Sequence, residues 1–469
     1  MELNKDVLFL IFEELKNDKR SLYSCLLVNR TWCATAVPIL WRNPGQFSLT
    51  SNSKDVLFNI ILLHLSEESR DILKNKGINN LINNKYQYPL FNYINFWKYL
   101  DLSFVLNICS QSKFIRDEVL KLFINRNRNF IHLSVAQIFD FQMYHILWDE
   151  CYFPELESFH CDNSIDQNVL REMAKTCKSI KKLRYDRIHF SYSDNSGIIK
   201  LIEVQKNLSD VKFGYKKKMD DKLSNKSLEE SLIKHANTIK YLRIEWNPVT
   251  RFLSYFVNLL SLEIDISYLE REESFYLNNL SLPILKILKI NYISSRILAN
   301  LIENTLGCLY KISVNLDVDG GRKLIQAIYQ NCKNLKYLKL KFFICNYSLI
   351  SEIENLLNNC QLLSELIIDN FDIFDSFRWD RLFKTLIRSS PIGLFKFKFS
   401  SNRMIRLEHL KLLFDSWKDK RSMFLKISSS NWMDKSRLED LIEEYKAEGI
   451  IERYIISNRH NCEDDFGWI

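Results

Sequence analysis

One pattern of apolar and polar positions returns along most of the chain: apolar-x-x-apolar-x-apolar. It begins at Phe130 (FIHLSV), Leu156 (LESFHC), Ile180 (IKKLRY), Leu208 (LSDVKF), Ile239 (IKYLRI) and Leu259 (LLSLEI). It continues at Leu285 (LKILKI), Leu309 (LYKISV), Leu335 (LKYLKL), Leu363 (LSELII) and Leu394 (LFKFKF), and a weaker form begins at Ser422 (SMFLKI). Alternate apolar positions within each hexad predict a short strand with one buried face. Between hexads lie helical spacings, as in GGRKLIQAIYQNC from Gly320 and LISEIENLLNNC from Leu349.

Successive hexads start 20 to 31 residues apart. A strand, a turn, a helix and a return in that length make a unit too small to bury its own apolar face, so the units must stack. The interval and the hexad resemble leucine-rich repeats. Cys177, Cys332 and Cys360 each precede a hexad by three residues. They resemble the buried corner residue of cysteine-containing repeats of that kind. The resemblance covers about residues 129–430 and implies an α/β fold: a curved solenoid with parallel strands inside and helices outside.

The first forty residues read differently, as three short amphipathic helices. Val7, Ile11 and Leu15 recur at helical spacing with Leu8 and Phe12 beside them, and Asn4 and Asp6 suit a helix start. Leu22, Cys25 and Leu26 form a second stripe. Asn29 to Val37 give a third, carrying Trp32, and Pro38 ends or kinks it. So little chain cannot bury enough area to stand alone, which leaves apolar surface for a partner. Leu3, Asp6, Val7, Leu8, Ile11, Phe12 and Leu15, followed by Leu22, Val28, Arg30 and Trp32, resemble the F-box pattern. Asn4 stands where that family has proline, and Asn29 where it has cysteine. The resemblance covers residues 2–42. It implies docking on the adaptor subunit of an SCF cullin–RING ubiquitin ligase through Leu3, Asp6, Val7, Leu8, Ile11, Phe12, Leu15, Leu22, Leu26, Val28 and Trp32. The C-terminal repeats would then hold a protein substrate. Trp41 would anchor the exit into the next helices.

The expected division is an F-box at 1–45, a helical connector at 46–125 that caps the solenoid, eleven or twelve repeats over 126–430, and a cap and tail over 431–469. The aromatic run YQYPLFNYINFWKYL in the connector reads as core.

Composition adds mostly exclusions. Ten glycines and seven prolines in 469 residues argue against long flexible linkers. The apolar run Val7 to Phe12 is too short and too acidic in its flanks for a secretory signal, and no later run approaches a membrane span. Eleven cysteines without a C-x-x-C pair therefore read as reduced, mostly buried thiols of a cytoplasmic or nuclear protein. No phosphate-loop, dinucleotide, zinc-protease or nucleophile-elbow motif occurs. NLDVDGGRKLIQ, from Asn315, places Asn315, Asp317, Asp319 and Gly320 like a calcium loop, but Gln326 stands where a bidentate Glu is needed. It reads as a strand-to-helix turn. The expectation is a non-catalytic chain with no cofactor and no metal.

Sixty-five basic against 57 acidic residues give a net charge of +8, and their placement matters more than their sum. The hexad position between the second and third apolar residues points away from the core. That column reads Ser134, His160, Arg184, Lys212, Arg243, Glu263, Lys289, Ser313, Lys339, Ile367, Lys398 and Lys426. Seven of twelve are basic, a ridge suited to an acidic or phosphorylated protein segment. The expected substrate contacts are Arg184, Lys212, Tyr241, Arg243, Lys289, Tyr337, Lys339, Lys398 and Lys426. The ridge lacks a regular aromatic stacking row, which argues against nucleic acid. A second reading stays open at this point: a stand-alone repeat protein that sequesters its target, with N-terminal helices serving only as a cap.

Overall fold

A computed structural model describes residues 4–46, 49–78, 89–109, 112–124, 128–135, 153–187, 194–215, 222–266, 275–317, 319–342, 347–371, 377–402, 405–429 and 435–458. The chain divides into two compact units, Met1–Met219 and Asp220–Ile469.

Unit 1 opens with three helices, α1 (Lys5–Glu14), α2 (Lys19–Cys25) and α3 (Arg30–Leu40). Each begins on a side-chain cap that answers an orphan backbone N–H. Asn4 Oδ1 accepts from the N–H of Asp6 at 3.1 Å, Asp18 Oδ1 from Ser21 at 3.2 Å, and Asn29 Oδ1 from Trp32 at 2.9 Å. Leu8, Phe12, Leu22, Cys25, Ala36 and Ile39 form their core, with Leu15, Leu26, Trp32 and Leu40 packed on its edge. The Phe12 and Trp32 rings meet edge to face at 5.3 Å. Trp41 leaves this core and packs on Tyr93, ring centroids 4.3 Å apart.

Four further helices follow: α4 (Ser51–Leu63), α5 (Glu67–Asn75), α6 (Leu102–Ile108) and α7 (Lys113–Phe123). Five parallel strands pair in chain order: β1 (Tyr99–Asp101), β2 (His132–Ser134), β3 (Ser158–Asp162), β4 (Lys182–Arg187) and β5 (Asp210–Tyr215). Helices α8 (Gln167–Thr176) and α9 (Ser196–Glu203) connect the last of them.

Among its described residues unit 2 holds nine strands: β6 (Tyr241–Ile244), β7 (Ser261–Asp265), β8 (Ile287–Asn291), β9 (Lys311–Leu316), β10 (Tyr337–Phe342), β11 (Glu365–Asn370), β12 (Lys396–Ser401), β13 (Met423–Ser429) and β14 (Ile451–Asn458). Every adjacent pair is parallel and sequential. Helices α10 (Lys222–Ile233), α11 (Ser295–Glu303), α12 (Gly321–Asn331), α13 (Tyr347–Asn359), α14 (Trp379–Ser389), α15 (Leu407–Asp415) and α16 (Lys435–Ala447) complete it. The 20-residue interval between the hexads at Ile239 and Leu259 is too short for an α-helix and carries a 3-10 turn, Phe252–Tyr255, instead. The loop before that turn is held by the buried Glu229 of α10, which accepts from Trp246 Nε1 and the Val249 N–H, each at 2.9 Å.

Within each unit the hexads lie on strands in register. Their second apolar positions form one buried column per unit: Leu133, Phe159, Leu183 and Val211, then Leu242, Leu262, Leu288, Ile312, Leu338, Leu366, Phe397 and Leu425. Both units are leucine-rich-repeat solenoids. The strand series extends further than the twelve hexads: β1 lies within 46–125 and β14 within 431–469. Both carry the same spacing, WKYLDL from Trp97 and IERYII from Ile451, with Trp97, Leu100, Leu102 and Ile451 buried.

One carbonyl recurs as the joint between repeats. In unit 1 the carbonyl of Arg42 accepts from the N–H groups of Lys98 and Tyr99 at 2.9 and 3.2 Å. Lys98 in turn accepts from Ile131 and His132, Ile131 from Glu157 and Ser158, Glu157 from Lys181 and Lys182, and Lys181 from Ser209 and Asp210. Unit 2 repeats the arrangement from Lys240, Leu260, Lys286, Tyr310, Lys336 and Ser364. The two donors are the hexad's x-x positions, whose side chains are therefore free to vary.

The return corners carry the cysteines. Cys177, Cys332 and Cys360 are fully buried free thiols, and burial pushes them up to about 11, 12 and 11. Gln205 ties two corners together. Its Nε2 donates to the carbonyls of Cys177 at 2.8 Å and Leu201 at 2.7 Å, while its Oε1 accepts from the Ile180 N–H at 2.9 Å. Gln205→Leu strands three buried backbone groups and should lower unfolding stability by roughly 2–4 kcal/mol. Gln361→Leu, at an exposed corner, should stay within about 0.5 kcal/mol. Urea midpoints of the two variants check this.

Candidate interaction surfaces

The N-terminal helices present the first surface. Leu8, Phe12 and Leu22 point into the three-helix core and are buried, so a partner would not touch them, contrary to their place among the expected adaptor contacts. Leu15, Leu26 and Trp32 line the edge of that core. Val7, Ile11 and Val28 are exposed, as is Asp6. Leu3 lies outside the described residues. Four further exposed apolar residues escaped sequence reasoning: Phe9, Leu10 (67 %), Tyr23 and Leu27 (89 %). Helical spacing marks the stripe that fills a core more readily than the residues left over, and here the leftover residues are apolar too. Apolar groups concentrated this way on one small subdomain mark an interaction site.

These helices are fixed to unit 1 by two features. Arg42 forms a two-pronged ion pair with Glu13, one bond at 3.0 Å, and its carbonyl is the first joint of the strand series.

The second surface is the strand face opposite the helices. In unit 1, Arg184 and Lys212 stand out in solvent, each beside an acid: Asp186 at 3.0 Å and Asp210 at 4.0 Å. Ser134, His160 and Asp186 form a line across three strands, Ser134 Oγ to His160 Nδ1 at 3.3 Å and His160 Nε2 to Asp186 Oδ2 at 2.9 Å. Burial pushes the Asp186 carboxyl up, but bonds from His160 and Arg184 reverse this and hold it below its ordinary value. The line has the residue types of a nucleophile relay. Ser134 is buried and Asp186 is shared with Arg184, which suits a structural polar seam. These residues come from three successive repeats; Ser134 and His160 share a hexad column, while Asp186 lies two residues beyond it, in register with Asp162.

In unit 2, Tyr241 is exposed, Arg243 and Lys289 are half-buried, and both cations contact Glu263, at 3.3 and 2.5 Å. Tyr337, Lys339, Lys398 and Lys426 are buried, which corrects the expectation of a continuous exposed ridge. Strands about 4.8 Å apart crowd long side chains, and pairing with neighbouring acids folds them onto the sheet. Lys339 reaches Asp369 at 2.9 Å. Burial pushes the Asp369 carboxyl up, and the charges of Lys339 and Lys398 bring it below its ordinary value. Asp265 accepts from Asn291 Nδ2 at 2.8 Å, and Asn291 Oδ1 accepts from Lys341 Nζ, also at 2.8 Å. Burial, with Lys339 nearby, lowers the Lys341 amine to about 8. In the former calcium-like segment, Asp317 is spent on the turn: its carboxylate accepts from the Ser295 and Gly320 N–H groups at 2.8 and 2.7 Å.

No described helix is long and apolar enough to cross a membrane. No protein-family model and no curated protein matches the chain. Among solved structures, one match is the leucine-rich repeat-containing protein LegL7 from Legionella pneumophila, at 14% identity and a TM-score of 0.34, covering 71% of this chain and 91% of that one. Another is a chain of the Rad7 and Elc1 complex in yeast, at 14% identity and a TM-score of 0.38, covering 94% and 90%.

Lys341 carries a pH signature. Its folded pKa of about 8 lies below the unfolded 10.5, so the unfolded chain binds more protons between those values and stability gained through this group rises with pH across that window. The span is worth roughly 3 kcal/mol at most. Lys341→Met, which fills the space without titrating, should be more stable than the parent at pH 7 and lose that advantage by pH 10.5. Urea unfolding of both proteins at the two pH values measures it.

Proposed function

We propose that the chain is the substrate-recognition subunit of an SCF-type cullin–RING ubiquitin ligase, itself without catalytic activity. Helices α1–α3 dock on the adaptor subunit, and the repeats hold a protein target for ubiquitination in the cytoplasm or nucleus. The observation that carries this reading is the set Val7, Leu10, Ile11, Tyr23, Leu27 and Val28, all exposed on a subdomain whose core is already closed by other residues. A cap needs one apolar face, toward the repeat it covers. These helices have apolar residues beyond those that fill their core, in the segment whose sequence resembles an F-box. The two departures from that pattern, Asn4 and Asn29, both serve as helix caps, so they keep the helices the docking face is built on.

The Arg42 carbonyl favours a second reading, in which the three helices only start the solenoid and the chain sequesters its target. Co-expression with an SCF adaptor subunit separates the two. The intact chain should co-elute with the adaptor, and Ile11→Asp combined with Leu27→Asp should weaken the complex by about 30- to 1,000-fold, the cost of two buried hot-spot residues. Both side chains are exposed in the free chain, so the variant should keep its circular dichroism and urea midpoint. Failure of the intact chain to bind hands the lead to sequestration.

A further inference from the structure

The helix-free face of unit 2 dips at β9. Lys289 and Lys339 flank Ser313 on the neighbouring strands, and Lys341 stands beside Asn315 with Asn291 beyond it on β8. Ser313 and Asn315 are the short residues between them, and they are buried, at 1% and 5% exposure. Their polar atoms are unusual. Ser313 Oγ, Asn315 Oδ1 and Asn315 Nδ2 all lack a hydrogen-bond partner, three unmet groups on two neighbouring side chains of one strand face. Such groups are costly to bury unmet, each on the order of 1–3 kcal/mol, and native proteins rarely leave them so without a bound species.

The surroundings say which species. Lys341 Nζ spans β9 to reach Asn291 on β8, passing over Asn315, a route open only because β9 carries short side chains here. The Lys341 amine therefore crosses a floor that offers a hydroxyl and an amide N–H, while the Lys289 and Lys339 amines turn outward to Glu263 and Asp369. The nearby acids are already engaged elsewhere: Glu263 by Lys289 and Arg243, Asp265 by Asn291, and Asp369 by Lys339. Lys341 has an amide oxygen where the other two lysines have carboxylates. Burial and the Lys339 charge lower the Lys341 amine further than the nearby Asp369 and Asp265 raise it.

We propose that the β9 dip, floored by Ser313 and Asn315 and crossed by Lys341, binds a small oxyanion of phosphate or carboxylate size. The depth of the floor restricts the occupant to a small free anion. Seated there, it accepts from Ser313 Oγ, Asn315 Nδ2 and the Lys341 ammonium and completes the row of lateral pairs across β7 to β11.

The test uses the full chain and two probes, inorganic phosphate and acetate, in titration calorimetry and thermal unfolding at ionic strength matched with chloride. One probe should bind saturably and raise the unfolding temperature, phosphate alone marking a tetrahedral site and acetate alone a planar one. Lys341→Gln should weaken that binding at least tenfold, while Lys212→Gln, on an exposed lysine of unit 1, leaves it unchanged. Asn315→Asp gives a second, independent readout, because it builds the anion into the floor. It should raise the unfolding temperature by a few degrees without added anion and abolish binding of the probe. If neither probe acts beyond chloride, or if Asn315→Asp lowers the unfolding temperature and still binds the probe like the parent, the dip is a solvent-filled gap and the proposal falls.

Discussion

Within each unit, most described repeats are bound to the one before through one carbonyl that accepts two consecutive N–H groups. That joint sets the spacing of everything else. It fixes the strand register, so the apolar positions of successive hexads fall in one column and bury each other. The same register aligns the positions of the opposite face, whatever their chemistry. Because the joint uses backbone atoms only, the residues that make it are unconstrained, and the intervals between the twelve hexads can stretch from 20 to 31 residues without breaking the stack. The insertions go into turns and helices instead. Where the interval is shortest, the helix gives way to a 3-10 turn and a buried glutamate holds the loop.

This explains what was legible in the sequence. Twelve strands could be placed because the hexad records burial directly, and burial is what the register enforces. β1 and β14 keep the same spacing, in WKYLDL and IERYII, and were missed because Trp97 and Tyr454 put a large amphipathic ring at one of the three apolar positions. The cysteine corners were visible as a fixed offset from the hexad. Gln205, which performs the same corner-tying task through its side chain, was not, since glutamine at one position has no period to reveal it.

The candidate surfaces were harder to read for a related reason. A sequence pattern shows which residues are apolar, and a small helical subdomain uses some apolar residues for itself. Leu8, Phe12 and Leu22 went to the core, while Leu10 and Leu27, off the main stripe, stayed outside. On the strand face, the column position correctly gave direction but not depth. Lys212 and Lys398 share a column position in their units, yet one is solvated and the other buried. The difference comes from neighbours on adjacent strands, 24 to 31 residues away in sequence, and alternating Lys with Asp or Glu across strands turns a run of charges into lateral pairs.

That lateral pairing has a consequence for how such a face can evolve. Once a lysine is buried beside an acid, losing either partner leaves a charge in low-dielectric surroundings, a penalty of roughly 3–5 kcal/mol. Paired positions therefore resist single substitutions, and new binding chemistry must enter where the pairing is incomplete. In unit 1 that place is the solvated end, where Arg184 and Lys212 keep one flank in water and can exchange their acids for those of a partner. In unit 2 it is β9, where short side chains interrupt the row. Recognition of a large partner belongs to the first kind of position and of a small ion to the second, because only the first leaves charge within reach of another protein.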